Sequence, residues 1–122
     1  MKTVRDKLIA ALDPFGFDIK QEGTYSINEE LPDSFISYEI IGSEVLRSYD
    51  NKPVRIGYDV DVTLHSNDMS VINSTASQLF DALIDAGFTA PDAGYDAGMN
   101  TYTGHYAWDM EFYLIEERSI NK

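Results

Sequence analysis

Histidine and paired carboxylates are the side chains with which a cysteine-free protein does acid–base or metal chemistry, and this sequence offers two histidines, no cysteine and 21 Asp plus Glu. His65 falls at the end of an alternating apolar/polar run, and His105 follows a glycine-rich stretch. Neither has a motif partner. There is no Gly-x-Ser-x-Gly elbow, no phosphate-binding glycine loop with its lysine and no His-Glu-x-x-His pair. Both histidines are therefore expected at the surface or at a strand end, and the sequence assigns no catalytic residue, no cofactor-binding residue and no metal ligand.

The carboxylates have a clearer pattern. Asp59 and Asp61 alternate with apolar residues, as do Asp109 and Glu111, so each pair points to one face of its strand. If the two strands are neighbours, all four acids share a patch. Like charges facing each other on a sheet cost a few tenths to ~1 kcal/mol per close pair, which leaves three readings: a solvated face, an interface awaiting basic residues, or a Ca²⁺ or Mg²⁺ site. The spacing matches no ligand loop, and as a glycosidase pair the acids lack any accompanying cleft signature.

Charge over the whole chain points the same way. Nine Lys plus Arg against 21 Asp plus Glu give a formal charge of −12, and between Ile56 and Glu117 there are 11 carboxylates and no Lys or Arg. A grip on a phosphate backbone needs clustered cations that displace counterions, so DNA binding is excluded in favour of repulsion from nucleic acid or attraction to a basic protein.

The elements that would position these residues can be read in order. Thr3 and Asp6 stand at capping-box spacing ahead of a Val4, Leu8, Ala11, Leu12 stripe, which predicts a first helix ended by Pro14 and Gly16, with Phe17 folding back on its last turn. Thr24 to Ile27 is a candidate short strand. Phe35 to Val45 alternates Ile36, Tyr38 and Ile40 with Ser37 and Glu39, with a bulge at Gly42. The clearest run places Val54, Ile56, Tyr58, Val60, Val62 and Leu64 on one face. Turn chemistry in Tyr49 to Pro53 makes this pair an antiparallel hairpin with a projecting tip. Asn67 or Asp68 caps a second helix along Met69, Ile72, Ala76, Leu79, Phe80, Leu83 and Ile84, stopped by Gly87 and Phe88. Thr89 to Gly104 reads as a loop or loose hairpin arm. Trp108, Met110, Phe112 and Leu114 form a last strand ahead of a polar tail from Glu116.

At 122 residues and 43% hydrophobic, the chain reads as one domain over 1–122 that buries roughly two thirds of its unfolded surface, with mobile loops near 46–53 and 89–104. No apolar run reaches the ~20 residues of a membrane span, and no signal peptide is expected. The fold class is α+β: an antiparallel sheet of four to five strands with two helices packed on one face. Tyr58, Trp108 and Phe112 fall at core positions. Tyr49, Tyr95 and Tyr102 fall in loop tips, where an aromatic either caps the core or anchors a partner.

Several segments together carry a family resemblance: Leu31-Pro32-Asp33-Ser34-Phe35-Ile36-Ser37-Tyr38, Tyr49-Asp50-Asn51-Lys52-Pro53, Tyr58 to Ser66, Asp85-Ala86-Gly87-Phe88, Tyr95 to Met99 and Gly104 to Phe112. They resemble the tail completion proteins of long-tailed bacteriophages and prophages, the tail-terminator or tail-to-head joining family. The resemblance implies a non-enzymatic virion protein, made in the host cytoplasm, that forms a homo-oligomeric ring, typically a hexamer, on the end of the tail tube. Its implied partners are further copies of itself, the major tail tube protein and a head-completion or connector protein, with DNA passing through unbound and no membrane or cofactor involved. Candidate contacts are Tyr49, Asp50, Asn51, Lys52, Tyr95 and Tyr102. Asp59, Asp61, Asp109 and Glu111 are the candidate acidic face or channel wall. The alternative reading is an acidic DNA mimic or another small protein-binding module.

Overall fold

The alternation through Val54–Ser66 builds the centre of the protein. A computed structural model describes residues 3–24, 30–46 and 54–118. In chain order the strands are β1 (Asp18–Gln21), β2 (Ser34–Leu46), β3 (Val54–Ser66), β4 (Tyr95–Met99) and β5 (Tyr106–Arg118), and the helices are α1 (Val4–Leu12) and α2 (Met69–Asp85). They form one five-stranded sheet in the order β1-β2-β3-β5-β4, a mixed and mostly antiparallel α+β fold.

The expected antiparallel α+β sheet is present, with one parallel edge where β1 runs alongside β2. The first helix precedes β1 and leads into it through a short 3₁₀ turn, Asp13–Phe15. Of the candidate strand Thr24 to Ile27, Thr24 lies outside any strand and Tyr25 to Ile27 lie outside the described residues. The β2–β3 hairpin and the bulge hold: register shifts between Ile40 and Gly42, so that Ile40 faces Val60 and Gly42 faces Asp59. The hairpin tip, with Tyr49, Asp50, Asn51 and Lys52, lies outside the described residues.

Period-two alternation puts the even-numbered residues of β3 and β5 on the helical side of the sheet. Val60, Val62, Leu64, Met110, Phe112 and Leu114 meet Ile36 and Tyr38 of β2, Val4, Leu8 and Leu12 of α1, and Ile72, Leu79 and Leu83 of α2 in one core. The helix termini follow the capping chemistry. Thr3 and Asp6 form a reciprocal capping box at α1, and Asp68 caps α2 by accepting from the Ser70 backbone N–H at 2.9 Å. Gly87 takes the left-handed conformation (φ 106°) and brings the Phe88 N–H to the Leu83 carbonyl at 3.0 Å, a Schellman-type stop that buries Phe88.

Of the two readings of Thr89 to Gly104, the hairpin arm holds: it contains β4, an edge strand paired with β5 across a bulge between Asp96 and Gly98. Two further expectations are corrected. Ile84 continues the 3-and-4 spacing but is 39% exposed, because the stripe is wider than the surface it covers. Glu116 does not begin a polar tail: β5 continues to Arg118, and Glu116 is buried on the core side, accepting from the Tyr58 hydroxyl at 3.3 Å.

Candidate functional site: an acidic sheet face and its histidine end

The odd-numbered residues of β3 and β5 point away from the helices. Register then decides which acids meet. Glu39 of β2 lies opposite Asp61 of β3, and Asp61 lies opposite Glu111 of β5. Three carboxylates thus stand in one row across three adjacent strands, where facing side chains have Cβ atoms about 5 Å apart. Asp59 and Asp109 flank the row, opposite Tyr113 and Thr63. The structure therefore brings together all four acids read from the sequence and adds Glu39. The β2–β3 hairpin was legible in the sequence but its register was not, because hairpin register depends on turn geometry and a bulge shifts it.

The electrostatics follow from that row. Burial, followed by the charges of Glu111, Asp109, Glu39 and Asp59, holds the Asp61 carboxyl above the usual range. Every charged neighbour that acts on it is another carboxylate. Asp109 is partly relieved by accepting from the Thr63 hydroxyl at 2.5 Å. Tyr95 of β4 lies opposite Asp109, and the charge of that carboxylate is the first cause holding its phenol above the ordinary value. Among the described residues no three His, Cys, Asp or Glu side chains are placed to hold a metal ion.

At the other end of the same face the two histidines meet, although 39 residues lie between them in sequence. The ring of His65 stacks on Phe35, and His105 contacts the same ring edge-on with centroids 5.3 Å apart. His65 Nε2 and the buried Ser37 hydroxyl are 2.8 Å apart. His105 Nε2 lies 2.7 Å from the Pro32 carbonyl; a carbonyl only accepts, so the proton sits on Nε2. Nδ1 is buried with no hydrogen-bond partner among the described residues. Burial lowers the His65 pKa to about 4, helped by His105 and opposed by Glu22 and Asp109. Of the two expected places, surface or strand end, His105 takes the second, just ahead of β5, and it is buried there at 6% exposure. Phe35, Leu31, Met99 and Thr103 complete a cavity of about 240 Å³ around the pair. Ser37 is 1% exposed, so this serine–histidine contact offers no reachable nucleophile.

Of the loop aromatics, Tyr95 is 52% and Tyr102 84% exposed. Tyr95 borders the acidic face, whereas Tyr102 stands in the turn between β4 and β5. Of the three aromatics expected in the core, Phe112 is buried and Tyr58 and Trp108 are half-buried. No helix among the described residues is long and apolar enough to cross a membrane. Compared with known proteins, the chain matches no family model and no curated protein.

Proposed function

We propose that the protein is a non-enzymatic structural component of a long-tailed phage virion, a ring-forming subunit that caps the tail tube and joins it to the head connector. The observation that carries this reading is the row Glu39–Asp61–Glu111 on the open sheet face, flanked by Asp59 and Asp109. A channel wall of that charge lets DNA slide, since holding phosphates requires cations and counterion release. The small α+β body and the long β2–β3 hairpin suit a subunit that packs against copies of itself and reaches to a tube.

Immunogold electron microscopy with an antibody to this chain tests the location. Label at the head–tail junction of phage particles from the producing culture is the expected result. Unlabelled particles, with the epitope accessible on disrupted ones, would overturn the reading in favour of an acidic module that binds a basic protein. The channel role has its own test: replacing Asp59, Asp61 and Asp109 with Asn and Glu111 with Gln should slow DNA ejection, and unchanged ejection from normally assembled particles removes it.

A further inference from the structure

The helical layer does not reach the β4 edge of the sheet. Beyond α2, where the sheet continues into β5 and β4, a groove of about 390 Å³ opens between the helix and the start of β5. Ile72, Ala76 and Phe80 of α2 form one wall, and Trp108 with Ala93 forms the other. These are apolar surfaces in the size range of ligand clefts, and they lie on the opposite side of the sheet from the acidic row.

The indole wall is held in place by its surroundings. Trp108 Nε1 donates to the Ala93 carbonyl at 3.1 Å, which satisfies its one polar atom. Gly94, at φ +101°, packs so closely that a Cβ there would lie 2.6 Å from Trp108 Nε1 and from the Asp109 carbonyl. The backbone thus clamps the polar edge of the ring and leaves its apolar surface to the groove. Asp81 also lines the groove and is exposed. Its surroundings carry one sign of charge: α2 has Asp81 and Asp85 without any Lys or Arg, and residues 89–105 add Asp92 and Asp96, again without a cation.

We propose that this groove receives a lysine or arginine side chain from a basic protein partner, the methylene stem lying between Trp108 and Phe80 and the charged head reaching Asp81. Long cationic side chains have this divided character, and a cation near an aromatic face in a partly desolvated site gains further attraction. The fixed negative charge disfavours nucleic acid. A second copy of this chain, itself at −12, is a poorer match than a protein of opposite charge. The proposal does not depend on a place in a virion.

Trp108 is the single tryptophan, so its emission reports on the groove. Titration of the full chain with a short amphipathic leucine–lysine peptide should shift that emission saturably, and the leucine–glutamate counterpart should leave it unchanged. Asp81→Asn should weaken the lysine peptide about tenfold, in line with loss of a charge-assisted contact. Asp13→Asn removes the same charge from the 3₁₀ turn after α1, outside the groove lining, and should leave affinity within about twofold. Ser77→Leu, at an exposed helix position lining the groove, should abolish the shift while circular dichroism stays native. No shift with the lysine peptide, equal binding of the glutamate peptide, equal weakening by Asp81→Asn and Asp13→Asn, or full binding by Ser77→Leu would each overturn the proposal.

Discussion

The imidazole of His65 lies flat on the ring of Phe35, with centroids 4.3 Å apart and planes within 8° of parallel. The two are direct cross-strand partners of β2 and β3, so the sheet register itself creates the stack. A neutral imidazole suits this position, because burial disfavours its charged form and the Ser37 hydroxyl already partners Nε2. His65 is therefore neutral at neutral pH and takes up a proton only in acid.

That gives a pH dependence with a definite sign. The folded-state pKa of His65, about 4, lies below its ordinary 6.5, so between these values the unfolded chain binds more protons than the folded one. Stability should rise with pH through this window and level off above it, with up to about 3 kcal/mol lost at its acid end. Urea unfolding midpoints of the wild type and His65→Asn across the window measure it. The variant should show the shallower slope, and equal slopes would assign the titration to another group.

Asp61 acts in the opposite sense. Its folded-state pKa is raised, so the folded chain holds its proton more tightly, and the contribution falls as pH climbs out of the carboxylate range. At neutral pH the charged form works against folding. Asp61→Asn should stabilise the protein by a few tenths to ~1 kcal/mol. Added salt should raise the thermal midpoint of the wild type more than that of the variant, because it screens the repulsion the variant lacks. A destabilised Asp61→Asn would mean that the carboxylate makes a contact worth more than the repulsion.

What the sequence revealed and what it hid divide along the range of the interactions. The Thr3–Asp6 box, the cap of α2 and the stop at Gly87 and Phe88 rest on contacts within a few residues, and spacing revealed all three, although it left Asn67 and Asp68 both open as the α2 cap. The alternation of β3 and β5 likewise announced which side of each strand was apolar. Whether Asp61 meets Glu111, and that Glu39 completes the row, depended on strand order and register. The histidines were hidden for the same reason: His105 is buried by Phe35 and the Pro32 carbonyl, contacts that come from distant segments. Glu116 read as tail because a carboxylate seldom occupies a core phase, yet it sits there with the Tyr58 hydroxyl as a donor.

One motif occurs twice with different environments and so isolates the value of burial. Both helices end in Leu-x-x-x-Gly-Phe, at Leu12 to Phe17 and Leu83 to Phe88. Phe88 is 1% exposed and meets Phe112 edge-on at 6.2 Å, whereas Phe17 is half-buried. Phe88→Ala should cost about 3–5 kcal/mol, in the range of emptied core sites, and Phe17→Ala about 1–2 kcal/mol for the smaller area returned to water. Chemical denaturation of the two variants measures the difference. Equal losses would show that the difference in ring burial does not set the contribution.

Gly57 is buried in the first half of β3, where an alanine would ordinarily improve the strand by about 0.5–1 kcal/mol. Here the side chain of Tyr113, one strand over on β5, lies across the glycine, and a Cβ would run into its hydroxyl and ring. Overpacking of that kind typically costs about 1–3 kcal/mol, so Gly57→Ala alone should destabilise. The sign should reverse once the obstruction is gone: in a Tyr113→Ala background, Gly57→Ala should be neutral or stabilising by up to about 1 kcal/mol. A double-mutant cycle read by urea unfolding therefore separates backbone preference from steric conflict, with a coupling energy of at least ~1 kcal/mol expected. Additive effects would mean that the ring of Tyr113 swings aside freely, and that Gly57 is held in β3 by something other than the tyrosine above it.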